Sequence, residues 1–372
     1  IYADIVEEYG YRGSLTFADN FMDGRLGVAF SVSDQSRDFG SDNVEVDGGW
    51  DFDESVPFPG EYELRNYDIT RERTSYVFNL DLDASESTNL YLRTTYSDFS
   101  DQEYRARVEN KFEDGEYNDA LSGGNQALFN GTDDDEYEVD RDIKDRLEEQ
   151  TIYAIAAGGE SVFGPWSMEY QISYAYAEES EPDRLDTDFR QEFDSGVFGI
   201  DITDSITPTL IFGDAASQTA YYDASAYEFD GLEFFNGVAE DDEWAGTFDL
   251  RRDTQFGRHF GYIQGGISYR TREKSFDGEM QAYDGFGPRD LFLDEFSDTV
   301  EFGLDEFGTS PDPFAVRDFF FANRSDFELD TIASAIDSVA EDYTAEEDVL
   351  AGYFMGSVDI DRLRIVGGVR VE

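Results

Sequence analysis

The run Glu346-Glu-Asp-Val-Leu-Ala-Gly-Tyr-Phe-Met355, answered by Arg362-Leu-Arg-Ile-Val-Gly-Gly-Val-Arg-Val-Glu372, decides the fold class. In the first arm Val349, Ala351, Tyr353 and Met355 recur at every second position. In the second, Leu363, Ile365, Gly367, Val369 and Val371 do the same. A period of two belongs to a strand whose faces meet different surroundings. Ser357-Val-Asp-Ile-Asp-Arg362 supplies the turn, so the whole stretch predicts a β-hairpin. Asp241 to Lys274 repeats the design. There Ile263, Gly265, Ile267 and Tyr269 share one face, and Gln264, Ser268, Arg270, Arg272 and Lys274 share the other.

The pattern extends through the chain. Leu26, Val28, Phe30 and Val32 alternate after Asp23-Gly24, a strong hairpin signal. Trp166, Met168, Tyr170, Ile172, Tyr174 and Tyr176 make the clearest face, with Ser, Glu, Gln and Ala between them. Alternation fails at Asp38–Tyr67, Asn110–Asp140, Glu178–Asp186, Asp214–Asp242 and Ser275–Thr344, which predicts long acidic loops. Short turns are expected near Asp23, Ser85, Gly159, Ser205, Phe256 and Asp359. Short and long connections therefore alternate, placing all tight turns at one rim of an up-and-down sheet. Inside the last loop Ile332, Ile336 and Val339 have helical spacing, so Leu329–Glu341 is expected to be a short amphipathic helix with Asp330 as N-cap.

Tight turns at one rim and long loops at the other are the layout of an outer-membrane barrel, and about twelve strands are expected. Aromatic residues between an aliphatic band and the strand ends would form interfacial girdles. The predicted fold is all-β, a transmembrane antiparallel up-and-down β-barrel with long extracellular loops. Composition agrees: 33 Phe, 23 Tyr and 34 Gly against 8 Pro suit many strands better than helices. The 86 acidic and 27 basic residues give a net charge of -59, which excludes nucleic acid as a partner. Such a surface suits a saline habitat, where its self-repulsion is screened. The absence of cysteine fits an exported barrel without requiring one.

The two C-terminal arms quoted above resemble the mid-barrel hairpin of TonB-dependent outer-membrane receptors, with an acidic residue, an Ala-x-Tyr strand and a GxRxE strand in order. Asp249-Leu-Arg251 with Gly265-Gly-Ile-Ser-Tyr-Arg-Thr-Arg-Glu-Lys274 resembles the preceding hairpin, and Asp19-Asn-Phe-Met-Asp-Gly-Arg-Leu-Gly27 an earlier turn typical of the large proteobacterial subgroup. The resemblance implies a bacterial outer-membrane location and a barrel of about twenty-two strands around a plug. Residues 1–372 would then be a partial barrel domain, with the plug and the C-terminal strands outside this sequence. It further implies active import of a scarce nutrient, carbohydrate or metal chelate. The TonB energy-transducing complex would be reached through the plug, outer-membrane lipid would surround the barrel, and a surface lipoprotein or partner subunit could join it.

No catalytic constellation stands out. The one histidine, His259, falls in a short turn, and acidic pairs are too numerous to single one out, so an enzyme is not expected. Tyr221, Tyr222, Tyr227, Phe234, Phe235 and Trp244 offer stacking faces for a flat or sugar-like ligand, or else pack the loops together. Asp133, Asp134 and Asp135 are candidate calcium ligands in an extracellular loop, without the spacing of an EF-hand; no other cofactor is expected. Two further functions fit the same residues: a passive porin or adhesin with cation-binding loops, and a soluble acidic calcium-binding surface protein.

Overall fold

The computed structural model describes residues 10–372. Strands make up 71% and helices 11%, so the fold is all-β. Ten strands form one antiparallel meander in chain order: β1 (Tyr11–Phe21), β2 (Leu26–Asp51), β3 (Phe58–Ser85), β4 (Thr88–Lys111), β5 (Tyr137–Phe163), β6 (Trp166–Phe193), β7 (Glu228–Phe256), β8 (His259–Phe286), β9 (Tyr343–Ile360) and β10 (Leu363–Val371). The sheet is open, because β1 and β10 do not pair with each other. Among the described residues no helix is long and apolar enough to cross a membrane.

The five hairpin turns of the meander lie at one end, as the short–long alternation predicts. The first turn needs left-handed backbone at Met22, Asp23 and Gly24, where Asp and Gly accept it most readily. At the opposite end the connections grow from 52–57 to 287–342. Here the structure corrects several expectations. Asp38–Tyr67 is not a loop: β2 and β3 stay in register from Asp38 opposite Thr70 to Asp47 opposite Glu61. Its acidic side chains are held by cross-strand partners, Glu45 by Arg65 at 2.8 Å and Asp42 by Asn66 at 2.8 Å. Charge pairing replaces hydropathy as the thing that alternates. Likewise β6 runs through Glu178–Asp186 with a bulge near Asp183, β7 starts at Glu228 within the expected Asp214–Asp242 loop, and β8 continues beyond Ser275 to Phe286.

The expected strands flanking Ser205 are strands, but not of the meander. Val197–Asp201 and Thr209–Phe212 join Gln126–Asn130 and Glu116–Tyr117 in a separate four-stranded sheet at the loop end. That removes two strands from the expected twelve. Its Phe198 stacks on Tyr137 of β5 at 4.6 Å, so its apolar alternation serves packing onto the meander. Three helices complete this end: α1 (Ala215–Tyr221), α2 (Pro313–Asn323) and α3 (Thr331–Ala340). Helix α3 is the one expected from sequence, and Asp330 caps it by accepting from the Ile332 and Ala333 amides at 2.8 and 2.9 Å.

The core lies between these loop elements and one face of the meander. Tyr62, Leu64, Val108, Val139, Phe189 and Leu232 from the sheet meet Phe198, Ile200, Tyr221, Phe307 and Phe320 from the connections, all buried. Along β3 the register is unbroken from Glu61 to Asp83, so Tyr62 and Leu64 share a face with Tyr76, Phe78 and Leu80. The loops cover that face at one end only.

Candidate functional site

Toward the turn end the same face carries apolar side chains that nothing covers. Ile172 is 57%, Ile267 53% and Phe354 57% exposed. The register aligns the band across neighbouring strands. Tyr76 sits opposite Tyr96, Tyr96 opposite Tyr153, Tyr153 opposite Tyr176, and Tyr174 opposite Trp244. Rings touch along this row, Tyr153 to Tyr174 at 5.4 Å and Tyr174 to Trp244 at 4.7 Å. Their hydroxyls reach carboxylates on the loop side: Tyr176 donates to Glu240 at 2.9 Å and Tyr269 to Asp348 at 3.0 Å. Phe163 and Phe256 border the band near the turns, and the Arg252 guanidinium lies 5.2 Å above the Trp166 ring. Ten residues separate Tyr176 from Trp166. At ~3.3 Å per residue and a tilt of about 40°, the band is ~25 Å tall.

The C-terminal hairpin joins this band through the expected set in its second arm and through the other alternate set in its first arm. Leu363, Ile365 and Val369 lie opposite Ile360, Val358 and Phe354. Tyr353 points to the other face, where Gln264 donates to its hydroxyl at 2.8 Å and the tyrosine in turn donates to Asp249. The apolar set Val349, Ala351, Tyr353 and Met355 thus lies on the face away from the band, and Leu350 with Phe354 belongs to the band.

The opposite face is a wall of ion pairs toward the loop end. Arg107 bridges Asp142, Glu63 at 2.9 Å and Glu109 at 3.0 Å, while Arg105 holds Asp142 from its other side at 2.8 Å. Lys111 and Arg190 both hold Asp140, at 2.9 and 2.7 Å. Burial works to raise the Asp140 carboxyl, but hydrogen bonds from Arg190 and Lys111 outweigh it and hold it below the usual range. Glu109 goes the other way: burial and the neighbouring Glu63 overcome Arg107 and push it up to about 7. Among the described residues, Glu61, Glu63 and Glu109 are the carboxylates whose oxygens converge within 4.8 Å, a spacing open to a metal ion. Arg65 and Arg107 already contact Glu63 there.

Of the six aromatic residues singled out from sequence, Tyr221, Tyr222 and Tyr227 gather around Arg141, and Phe234, Phe235 and Trp244 lie elsewhere. Tyr221 and Tyr227 are fully buried, their rings 5.3 and 4.9 Å from the guanidinium of Arg141. Tyr222 donates to the Glu306 carbonyl at 3.2 Å. Phe234 packs on Phe320, Phe235 lies beside Gly237, and Trp244 belongs to the exposed band. Asp133, Asp134 and Asp135 are exposed in a turn closed by the Thr132 amide on the Asp135 carbonyl at 3.0 Å. Sequence reasoning missed Arg141, which is buried and donates to the carbonyls of Phe307 and Thr309 at 2.8 and 2.7 Å. It sits in Asp140-Arg-Asp-Ile-Lys-Asp-Arg146, a run that reads as solvated loop because the charges of both faces interleave.

No family model, curated protein or solved structure matches this chain.

Proposed function

We propose that this chain is part of a β-barrel in the outer membrane of a Gram-negative bacterium, and that the barrel is a TonB-dependent receptor importing a scarce nutrient. The uncovered apolar band carries this reading. A contiguous apolar face of this size is unstable in water, and its ~25 Å height between two aromatic borders fits a bilayer core. Tyrosines with rings in the band and hydroxyls on carboxylates suit the interface, where one end of the side chain is dry and the other wet. Arg252 over Trp166 fits a cation reaching for the opposite headgroups. The folded connections would then stand outside the cell, and the wall of ion pairs would line the lumen. The resemblance of the hairpins to TonB-dependent receptors supports energised import over passive flow.

The three tryptophans provide the test. Trp166 and Trp244 lie on the band, and Trp50 lies at the loop end. Refolded into vesicles with brominated acyl chains, variants retaining only Trp166 or only Trp244 lose fluorescence, while one retaining only Trp50 does not. A chain that stays monodisperse without detergent and shows no quenching would sink the membrane reading. Import is tested separately: uptake that survives collapse of the proton-motive force points to a passive channel.

A further inference from the structure

On the face that carries the wall of ion pairs, but nearer the turns, four arginines of β1, β2 and β3 gather around a single carboxylate. Arg12 lies opposite Gln35, Gln35 opposite Arg73, and Arg73 opposite Phe99. Two residues further along, Arg37 lies directly opposite Arg71, and Arg71 opposite Asp101. Opposite residues of a ladder share a face, so the four arginines rise from backbone spanning only ~10 Å across the strands and ~7 Å along them. Arg71 meets Asp101 at 2.6 Å. Arg12, Arg37 and Arg73 are exposed and make no ion pair or hydrogen bond with a described residue. Elsewhere on this face Arg65, Arg93, Arg105, Arg107 and Arg146 each meet at least one carboxylate. In a chain with 86 acidic and 27 basic residues, three unpaired guanidiniums side by side run against the composition.

The geometry points to this patch as a binding site for a compact oxyanion of two or more negative charges, the carboxylate or phosphate groups of a small ligand. Like charges directly opposite each other on a ladder repel, as Arg37 and Arg71 do, and an oxyanion seated between them removes the repulsion. Two phenylalanines hold the cations in place. Arg37 and Arg71 both lie over the Phe39 ring, 4.6 and 5.0 Å from its centroid, and Arg73 lies over Phe99 at 4.8 Å. A guanidinium stacked by its face keeps its N–H edges free for the paired hydrogen bonds that a carboxylate or phosphate accepts. The next row toward the turns adds hydroxyl donors, with Ser14 opposite Ser33, Ser33 opposite Ser75 and Ser75 opposite Ser97. A metal ion is repelled by the same charges, and a long polyanion by the acidic chain around them. As the ligand chemistry of the proposed receptor, the patch depends on that reading for its role in import, but not for its capacity to bind.

Pyrophosphate and tricarballylate, titrated calorimetrically in turn into the full chain in detergent, test it at about 0.15 M sodium chloride, where long-range repulsion by the net negative charge is screened. One saturable site is expected for at least one of them, and the tighter probe tells phosphate from carboxylate. The double substitution Arg37→Gln/Arg73→Gln weakens binding about tenfold or more, as befits the loss of charge-assisted hydrogen bonds. Neither arginine has an ion pair to lose, so this variant unfolds at or above the thermal midpoint of the parent when no anion is present. Arg270→Gln/Arg272→Gln removes the same charge from the same face, where Glu347 and Asp241 already hold it, and leaves binding unchanged. Three results would overturn the site: no saturable binding of either probe, equal weakening by the two double variants, or a fall in the midpoint of Arg37→Gln/Arg73→Gln, which would assign these arginines to the fold. Quenching by brominated lipid is read on the same protein, so failure of the membrane reading and failure of the patch are distinguishable.

Discussion

The Tyr174 ring packs against Trp244 on the neighbouring strand at 4.7 Å, on a face where the tryptophan is still more than half exposed. The pair packs sideways within the sheet, and no other part of the described chain covers it. The same holds for the rest of the band. Toward the loop end this face is sealed by the chain's own connections, with Phe198, Phe307 and Phe320 packed onto it. Whether the remainder meets lipid, as proposed above, or water determines how the protein responds to substitution there.

Phe248 and Thr247 are adjacent, exposed and on opposite faces. Phe248→Arg is expected to destabilise the vesicle-refolded protein by about 2–4 kcal/mol, the cost of a cation near the bilayer midplane, while Thr247→Arg costs about 0–1 kcal/mol. Urea titrations in vesicles measure both. If the face met water instead, Phe248→Arg would be within about 0.5 kcal/mol of neutral.

Arg107 is the hub of the charged wall, contacting Asp142, Glu63 and Glu109 at once. Arg107→Ala takes the cation from Glu109 and leaves Asp142 to Arg105 and Glu63 to Arg65 alone, and is expected to cost about 3 kcal/mol. Adding Asp142→Asn to it should recover part of the loss. A double variant no more stable than Arg107→Ala would show that Asp142 gains nothing from its pairing.

Glu109 gives the wall a pH dependence. Its folded carboxyl is pushed up to about 7 by burial, so between its ordinary value and about 7 the folded state holds a proton that the unfolded state has released. Its contribution is therefore most favourable at acid pH and is lost as pH rises through about 7. Glu109→Gln, which mimics the protonated acid, is expected to stabilise the protein by roughly 2 kcal/mol at pH 8, judging by the energy of a shift this large. At about pH 3.5, below the ordinary carboxylate value, folded and unfolded states are both protonated at this position and the variant and the parent should unfold alike. Thermal midpoints at the two pH values decide it.

Asp330 holds the first turn of α3 through the Ile332 and Ala333 amides. Asp330→Ala is expected to cost about 1 kcal/mol, a typical N-cap loss. Faster amide exchange should be confined to Thr331–Ala340 and the adjoining edge of β8, where Ser334 and Ser338 accept from the Ala282 and Met280 amides. Faster exchange throughout the meander would contradict a purely local role.

The sequence by itself determined whatever depends on neighbours along the chain. Period-two alternation in Trp166–Tyr176 and in Leu26–Val32 places their side chains as the structure does, because strand geometry alone puts every second residue on one face. The Asp23-Gly24 turn, the Asp330 cap and α3 follow equally from local backbone chemistry. Whatever depends on a distant partner was decided by tertiary structure. Asp38–Tyr67 reads as loop until Glu45 meets Arg65 across the ladder, and Arg141 reads as solvated until Phe307 and Thr309 arrive from a connection more than a hundred residues later. The strands beside Ser205 were legible, but not the small sheet they join. Tyr353 and Phe354 alternate equally well, and only register against β8 and β10 shows which of them faces the band. Alternation says that a strand has two faces. Pairing, which brings together residues far apart in the chain, decides what each face meets.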